Sequence, residues 1–191
     1  MSLTGAQFIA KGHGQTAPWL DLVNSEEWDT YGKRTEWLDE PSWLRFFLRQ
    51  WHFKAPLRAA FPVTAFRHLR AALRKSCEAL FAGRGIPATE LRALNRKLTV
   101  TGKRALLQRQ NGLHVEFVPQ AKDWDWILAQ TALSFAEILA RGSSARIKIC
   151  LNHDCRWVFY DSSKANVRLW CSDKVCGNRE RVRRARAKKG R

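Results

Sequence analysis

Cys150-Leu-Asn-His-Asp-Cys155 and Cys171-Ser-Asp-Lys-Val-Cys176 place two cysteine pairs at the same four-residue gap, and Gly177-Asn-Arg-Glu-Arg-Val-Arg-Arg-Ala-Arg-Ala-Lys-Lys follows at once. The residues Met1 to Ala10 show neither a basic start nor an apolar run, so no secretion signal is expected. In that setting, paired cysteines read as a metal site rather than as disulfides. A segment as short as 144–191 buries too little apolar surface to offset its own ordering entropy, so a staple is expected. Four thiolates around Zn²⁺ supply one, because the ion prefers four ligands in a tetrahedron and thiolates match its borderline-soft character.

The neighbouring residues fit a small finger. Ile147-Lys-Ile reads as a strand entering the first knuckle. Arg156-Trp-Val-Phe-Tyr and Val167-Arg-Leu-Trp flank the polar turn Asp161-Ser-Ser-Lys and read as a hairpin between the ligand pairs. The second pair runs into an Ala- and Arg-rich stretch without proline, which favours helix. A knuckle, a hairpin and a helix carrying the last ligand form a treble-clef order. The expected ligands are Cys150, Cys155, Cys171 and Cys176. Disulfides, a redox pair and an iron–sulfur cluster are the competing readings. His153 could replace one cysteine, although a solvent-facing or supporting role suits it better when four thiols are at hand. Cys77 falls on the apolar stripe of a distant helix and reads as a core thiol.

Charge points to the partner. The 191-residue chain carries a formal charge of +17. Residues 141–191 hold fifteen Lys/Arg against Asp154, Asp161, Asp173 and Glu180. This asymmetry favours a polyanion such as DNA or RNA over a membrane surface. On a DNA reading, Asn178, Arg179, Arg181 and Arg183 reach bases, and Arg184, Arg186, Lys188 and Lys189 reach phosphates. A solubilising basic tail is the plainer alternative. No stretch approaches the ~20 apolar residues of a membrane span, and a reducing cytoplasmic setting is the simplest expectation.

Upstream, the pattern is mainly helical. Pro18-Trp-Leu-Asp-Leu-Val starts a short element that ends in a turn at Asn24. Pro41 suits the first turn of a helix carrying Trp43, Phe46, Phe47 and Trp51. Phe66, Leu69, Leu73, Cys77 and Leu80 recur at three- and four-residue steps through 62–82. Another helix follows Pro87, with Leu91, Leu94 and Leu98 on one stripe. Ala105 to Val118 reads as a hairpin in which Asn111-Gly112 supplies both positive-φ residues of a two-residue turn. Helical period returns over 122–141, and Gly142-Ser143-Ser144 breaks it. The expected class is α+β, mainly α: a helical domain over 1–143 with one hairpin, then a finger over 144–191. Trp19, Trp28, Trp37, Trp43, Trp51, Trp124 and Trp126 read as packing residues rather than as a pocket lining.

Cys150…Cys155-Arg-Trp-Val-Phe-Tyr-Asp-Ser-Ser…Arg168-Leu-Trp-Cys-Ser…Cys176-Gly-Asn-Arg resembles the CGNR zinc finger, named for the tetrapeptide Cys176 to Arg179. Trp19-Leu-Asp-Leu-Val-Asn-Ser resembles the opening motif of the helical ABATE domain, which precedes that finger in bacterial proteins. Leu91-Arg-Ala-Leu-Asn95 fits the same domain more weakly. Ser25 stands where that family usually has Thr, and the hydroxyl is retained. The resemblance implies a bacterial, stress-linked transcription regulator with four zinc-ligating cysteines and a DNA-binding treble clef.

The expected function is therefore a zinc-dependent DNA-binding regulator. Its N-terminal domain would sense a small-molecule effector or mediate association into a homodimer. An RNA- or ribosome-associated zinc protein is the alternative, with Trp157, Tyr160 and Trp170 as stacking platforms. An enzyme is not expected. There is no Gly-rich phosphate loop, no His-Glu-x-x-His and no nucleophile elbow, and four thiolates leave zinc no open position. Asp21 and Asn24 are the candidates for a small-molecule site, against a simpler role as turn and cap residues.

Overall fold

Pro18 opens helix α1 (Pro18–Val23) at the position where a missing N–H costs nothing. The helix is short but central: Trp19, Leu20, Leu22 and Val23 are all buried. The chain is described here by a computed structural model over residues 17–28, 33–54, 59–99, 102–109, 112–152 and 154–189. After α1, the chain forms an antiparallel pair, β1 (Glu26–Trp28) and β2 (Arg34–Glu36). Three-residue strands are too short for alternation to mark them, so sequence reasoning gave no strand there. A 3-10 turn over Trp37–Asp39 leads into α2 (Pro41–Gln50), again opened by proline. Its Trp43 and Phe47 rings stack with centroids 5.0 Å apart.

The expected long helix is α3 (Val63–Phe81), which buries Phe66, Leu69, Leu73 and Cys77. Gly83 ends it at φ +69, in the left-handed region that glycine enters without a Cβ penalty. Then come α4 (Ala88–Leu98) and the hairpin of β3 (Gly102–Arg109) and β4 (Gly112–Pro119). The pairing starts earlier than the sequence suggested, at Gly102 opposite Pro119. Gly112 is the first residue of β4, opposite Arg109, rather than a turn residue. That register sets Leu106 opposite Val115. The Asn111 half of the expected turn lies outside the described residues. Helix α5 (Trp124–Ala140) follows, and the Asp123 carboxylate accepts the Trp126 N–H as its N-cap. It packs on α1 and α4, while α3 packs on α1 and α4.

Beyond Gly142, β5 (Ile147–Ile149) pairs antiparallel with β6 (Val158–Tyr160). The finger hairpin thus brackets the first cysteine pair, and 167–170 is not its second strand as expected. Val167 and Leu169 are exposed and have no apolar face to pair with. The carbonyls of Asn166 and Arg168 accept from Lys148 Nζ, and that of Leu169 accepts from the Leu151 N–H. Helix α6 (Asn178–Lys189) closes the described chain. Among the described residues, no helix is long and apolar enough to cross a membrane.

One buried cluster runs through both segments: Ile147, Trp157 and Val158 share it with Trp19, Leu22, Leu73 and Phe135. The seam is also polar where β6 meets the end of α1. Trp157 O and Asp161 N bond across to Cys150 and Arg146, so the odd-numbered residues of β6 face β5. Val158 therefore turns its backbone groups to the open edge. There Asn24 Nδ2 donates to Val158 O at 2.8 Å, and Asn24 Oδ1 accepts the Val158 N–H at 2.9 Å. A single amide stands in for a missing strand. Beside it, Ser25 Oγ donates to Leu22 O and accepts from Arg70 Nη1, whose guanidinium clasps both Glu36 oxygens at 2.6 Å. Burial opposes the charge on Glu36, but the hydrogen bonds and charge of Arg70 hold its carboxyl below the usual range.

Asp21 is also fully buried, with one oxygen accepting from Trp51 Nε1 at 2.6 Å and the other without a partner. Burial pushes its carboxyl up to about 7, against the lowering effect of the Trp51 bond.

Two outcomes follow from these groups. Asn24→Ala should cost about 2–4 kcal/mol in urea unfolding, because it strands two buried backbone groups at roughly 1–3 kcal/mol each. A loss below about 0.5 kcal/mol would contradict the clamp. For Asp21, the native state keeps a proton that the unfolded chain has released between about pH 4 and 7. Its contribution is thus full below the unfolded pKa and fades as pH rises through about 7. Relative to the unaltered protein, Asp21→Asn should gain on the order of 2 kcal/mol of stability between pH 5 and pH 8. Parallel denaturation curves at the two pH values check this, and equal shifts at both would refute it.

Candidate metal centre and basic helix

Cys150 leaves β5 with its N–H bonded to Trp157 O at 2.9 Å, so the first knuckle hangs inside the β5–β6 hairpin. Asn152 shapes the turn: its Oδ1 accepts the Asp154 N–H, and the Cys155 N–H bonds to Asn152 O. Arg156 then takes φ +53, which reverses the chain into β6. His153, the competing ligand, lies outside the described residues.

The second pair is set by a helical start. Ser172 caps a π-turn over Asp173–Gly177, and both Cys176 N and Gly177 N bond back to Ser172 O. This turns Cys176 inward toward Cys171. A Cβ on Gly177 would run into the Asp173 carboxylate and the Trp170 ring. Any larger residue after the last cysteine would have to displace the Asp173 carboxylate and press on Trp170.

The four Sγ atoms, of Cys150, Cys155, Cys171 and Cys176, all lie within 4.8 Å of one another. Cys155 and Cys171 are 3.6 Å apart, as are Cys171 and Cys176. A tetrahedron with metal–sulfur bonds of about 2.3 Å has edges of about 3.8 Å, whereas a disulfide needs about 2.0 Å. The donor set therefore fits one ion rather than two bridges. The proton chemistry agrees. Hydrogen bonds from Cys155, Cys171 and Cys176 hold the Cys150 thiol far below its usual range. The same bonds push Cys155 and Cys171 well above it. Against the raising effect of Cys150, bonds from Cys155 and Cys171 hold Cys176 below its usual range as well, so Cys155 and Cys171 are the thiols that resist ionisation until a cation sits among them. When bound, zinc supplies a closed structural crosslink and no open reactive position. Cys77 is separate: it is fully buried on α3, and burial drives its thiol pKa up.

Sequence reasoning passed over Asp161, which it took as part of a polar turn. The side chain is fully buried and accepts from Lys148 Nζ, Ser163 Oγ and the backbone N–H groups of Ser163 and Arg168. Burial opposes its charge, yet these four donors hold the carboxyl far below its usual range. It pins the loop from β6 back over β5. An Asp followed two residues later by Ser was the available signal, since that spacing forms side-chain turns.

Every residue of α6 from Arg181 to Lys189 is exposed, and only Glu180 is buried. Arg181 pairs with Asp173 at 3.1 Å and ties the helix to the second knuckle. Arg183 pairs with Glu180 at 2.9 Å. Asn178, Arg179, Arg184, Arg186, Lys188 and Lys189 are exposed and make no ion pair among the described residues. Asn178, Arg179 and Arg186 line a groove with Asn152 and Asp154 of the first knuckle. Asp21 and Asn24 sit far from any of this along the chain, buried in the bonds described above.

Residues 146–189 match the CGNR zinc finger family, and the four clustered cysteines support zinc as the ion it binds. Residues 16–142 match the family described as "ABATE: Putative stress-induced transcription regulator". No curated protein matches the chain. The two matches lie in the order that the resemblance implied, and the match to residues 16–142 covers most of the sequence: the chain belongs to the ABATE family and carries a CGNR zinc finger after that domain.

Proposed function

We propose that this protein is a zinc-dependent DNA-binding transcription regulator. In it, residues 144–191 read DNA, and residues 1–143 sense an effector or bring two copies together. Cys150, Cys155, Cys171 and Cys176 are the zinc ligands. One observation carries the reading: α6 leaves the finger with every residue from Arg181 to Lys189 exposed, Val182 as its largest apolar side chain, and its main packing on the second knuckle. A helix with so little apolar surface to bury gains little from its own protein, so its partner is elsewhere. The major groove admits an α-helix, and guanidinium groups recognise both phosphates and guanine edges.

The residues divide by their present engagements. Arg184, Arg186, Lys188 and Lys189 make no ion pair among the described residues and take phosphates. Asn178 and Arg179, at the helix start beside the first knuckle, take base edges. Arg181 and Arg183 reach bases only by leaving Asp173 and Glu180, so each contributes less than its charge suggests. The RNA reading is weaker here because Trp157, one of its three stacking platforms, is 3% exposed and belongs to the core.

The test is sequence selection on random duplex DNA with zinc-loaded and chelated protein side by side. Enrichment is expected only with zinc, since the ion orients α6. Enrichment that survives full zinc removal would sink the mechanism. On a selected duplex, the log–log salt slope should be about −4 to −7. The double variant Arg186→Ala/Lys189→Ala should shallow that slope by about 2, because two phosphate contacts are lost. An unchanged slope would move the contact surface off α6. Structured RNA competing better than duplex DNA would favour the alternative partner.

A further inference from the structure

A cleft of about 510 Å³ lies where the helical segment meets the finger. That volume suits a small molecule, and such sites favour seams between structural units. One wall is α3, which presents Arg67, Arg70, Arg74 and Lys75. The other is the finger, which presents Ile149 and Arg156. Trp28 of β1 lies between them.

The engagements of these cations differ. Arg67 pairs with Asp39, Arg70 with Glu36, Arg74 with Glu78 and Lys75 with Glu90. Among the described residues, Arg156 alone of the five has no carboxylate. Its guanidinium instead lies over the Trp28 ring, 5.0 Å from the centroid. Its backbone oxygen accepts from Arg74 Nη1 at 2.6 Å, which fixes its position at the mouth while leaving the side chain exposed. An uncompensated guanidinium on an indole face offers both halves of one recognition: a charge for an anionic group and a flat surface for a ring. Lys75, with its side chain 67% exposed, adds a second mobile cation on the opposite wall.

We propose that this cleft binds a small molecule that joins an anionic group to a flat ring. The anion is held between Arg156 and Lys75, and the ring stacks on the outer face of the Arg156 guanidinium, which Trp28 backs from the other side. The proposal rests on the reading that the N-terminal segment senses an effector, and it names the site and the chemistry of that effector. The anion could be a carboxylate or a phosphate, so the probes are salicylate and adenosine monophosphate. Each is titrated calorimetrically into full-length zinc-loaded protein, without DNA.

At least one probe should saturate a single site, and Arg156→Ala should weaken it about tenfold, the scale of one charge-assisted contact. Lys75→Gln should weaken it severalfold, and Arg96→Ala, on another face, should leave it unchanged. Circular dichroism and zinc content confirm that each variant is folded, and Lys75→Gln carries the test if Arg156→Ala does not fold. No heat from either probe at millimolar concentration, or equal binding in both cleft variants, overturns the site. DNA affinity is measured separately. Saturation with no change in DNA affinity supports the cleft and rejects effector sensing, whereas loss of DNA binding in every form leaves the titration result standing.

Discussion

Four sulfurs within 4.8 Å of each other cannot all ionise unless a cation sits among them, and the C-terminal quarter is arranged around that constraint. Each knuckle reaches the cluster from a different kind of scaffold. The first hangs in a two-stranded hairpin, and the second sits in the opening turn of a helix. Neither scaffold is stable alone in water; a lone hairpin is marginal and a twelve-residue helix with no apolar face is no better. The ion therefore couples two weak elements, and its binding energy becomes folding energy for both.

The finger is not an independent bead. Val158 lies at 0% exposure in the core of the helical segment, and its backbone is completed by Asn24. The amide side chain is well suited because it offers a donor and an acceptor in the spacing of a peptide group. An aspartate there would set an oxygen against the Val158 carbonyl, and an aliphatic residue would leave both groups dry and unpaired. This explains chemically why the opening motif of the N-terminal segment ends in Asn-Ser. Asn24 completes the finger's edge strand, and Ser25 receives the arginine that locks β2 through Glu36. A motif 134 residues away in sequence thus serves the zinc module.

Much of this was legible beforehand, for physical reasons. The helices of 41–50, 63–81, 88–98 and 124–140 announce themselves because burial on one face imposes a 3.6-residue period, and proline or glycine marks their ends. The cysteine spacing was legible because few geometries use paired thiols. The finger's strand pairing was not: 167–170 alternates as a strand would, and only the exposure of Val167 and Leu169 shows that nothing lies opposite. The roles of Asp161 and Asn24 were hidden for a related reason. Both satisfy backbone groups distant in sequence, and single-residue propensity says nothing about which partner a buried polar atom will meet.

The charge of α6 is better understood by what it lacks than by its magnitude. Basic helices that pack on their own protein keep an apolar stripe; α6 keeps none beyond its first turn, where Glu180 and the Arg181–Asp173 pair hold it to the knuckle. Arg181 is spent on that anchorage, and Arg183 pairs with Glu180 within the helix. The remainder, Arg179, Arg184, Arg186, Lys188 and Lys189, repel one another along a helix that isolated peptide physics barely supports. A polyanion removes that repulsion and releases its own counterions on contact. On the proposed reading the helix is therefore more stable bound than free, and its start at the zinc site sets the direction in which it points.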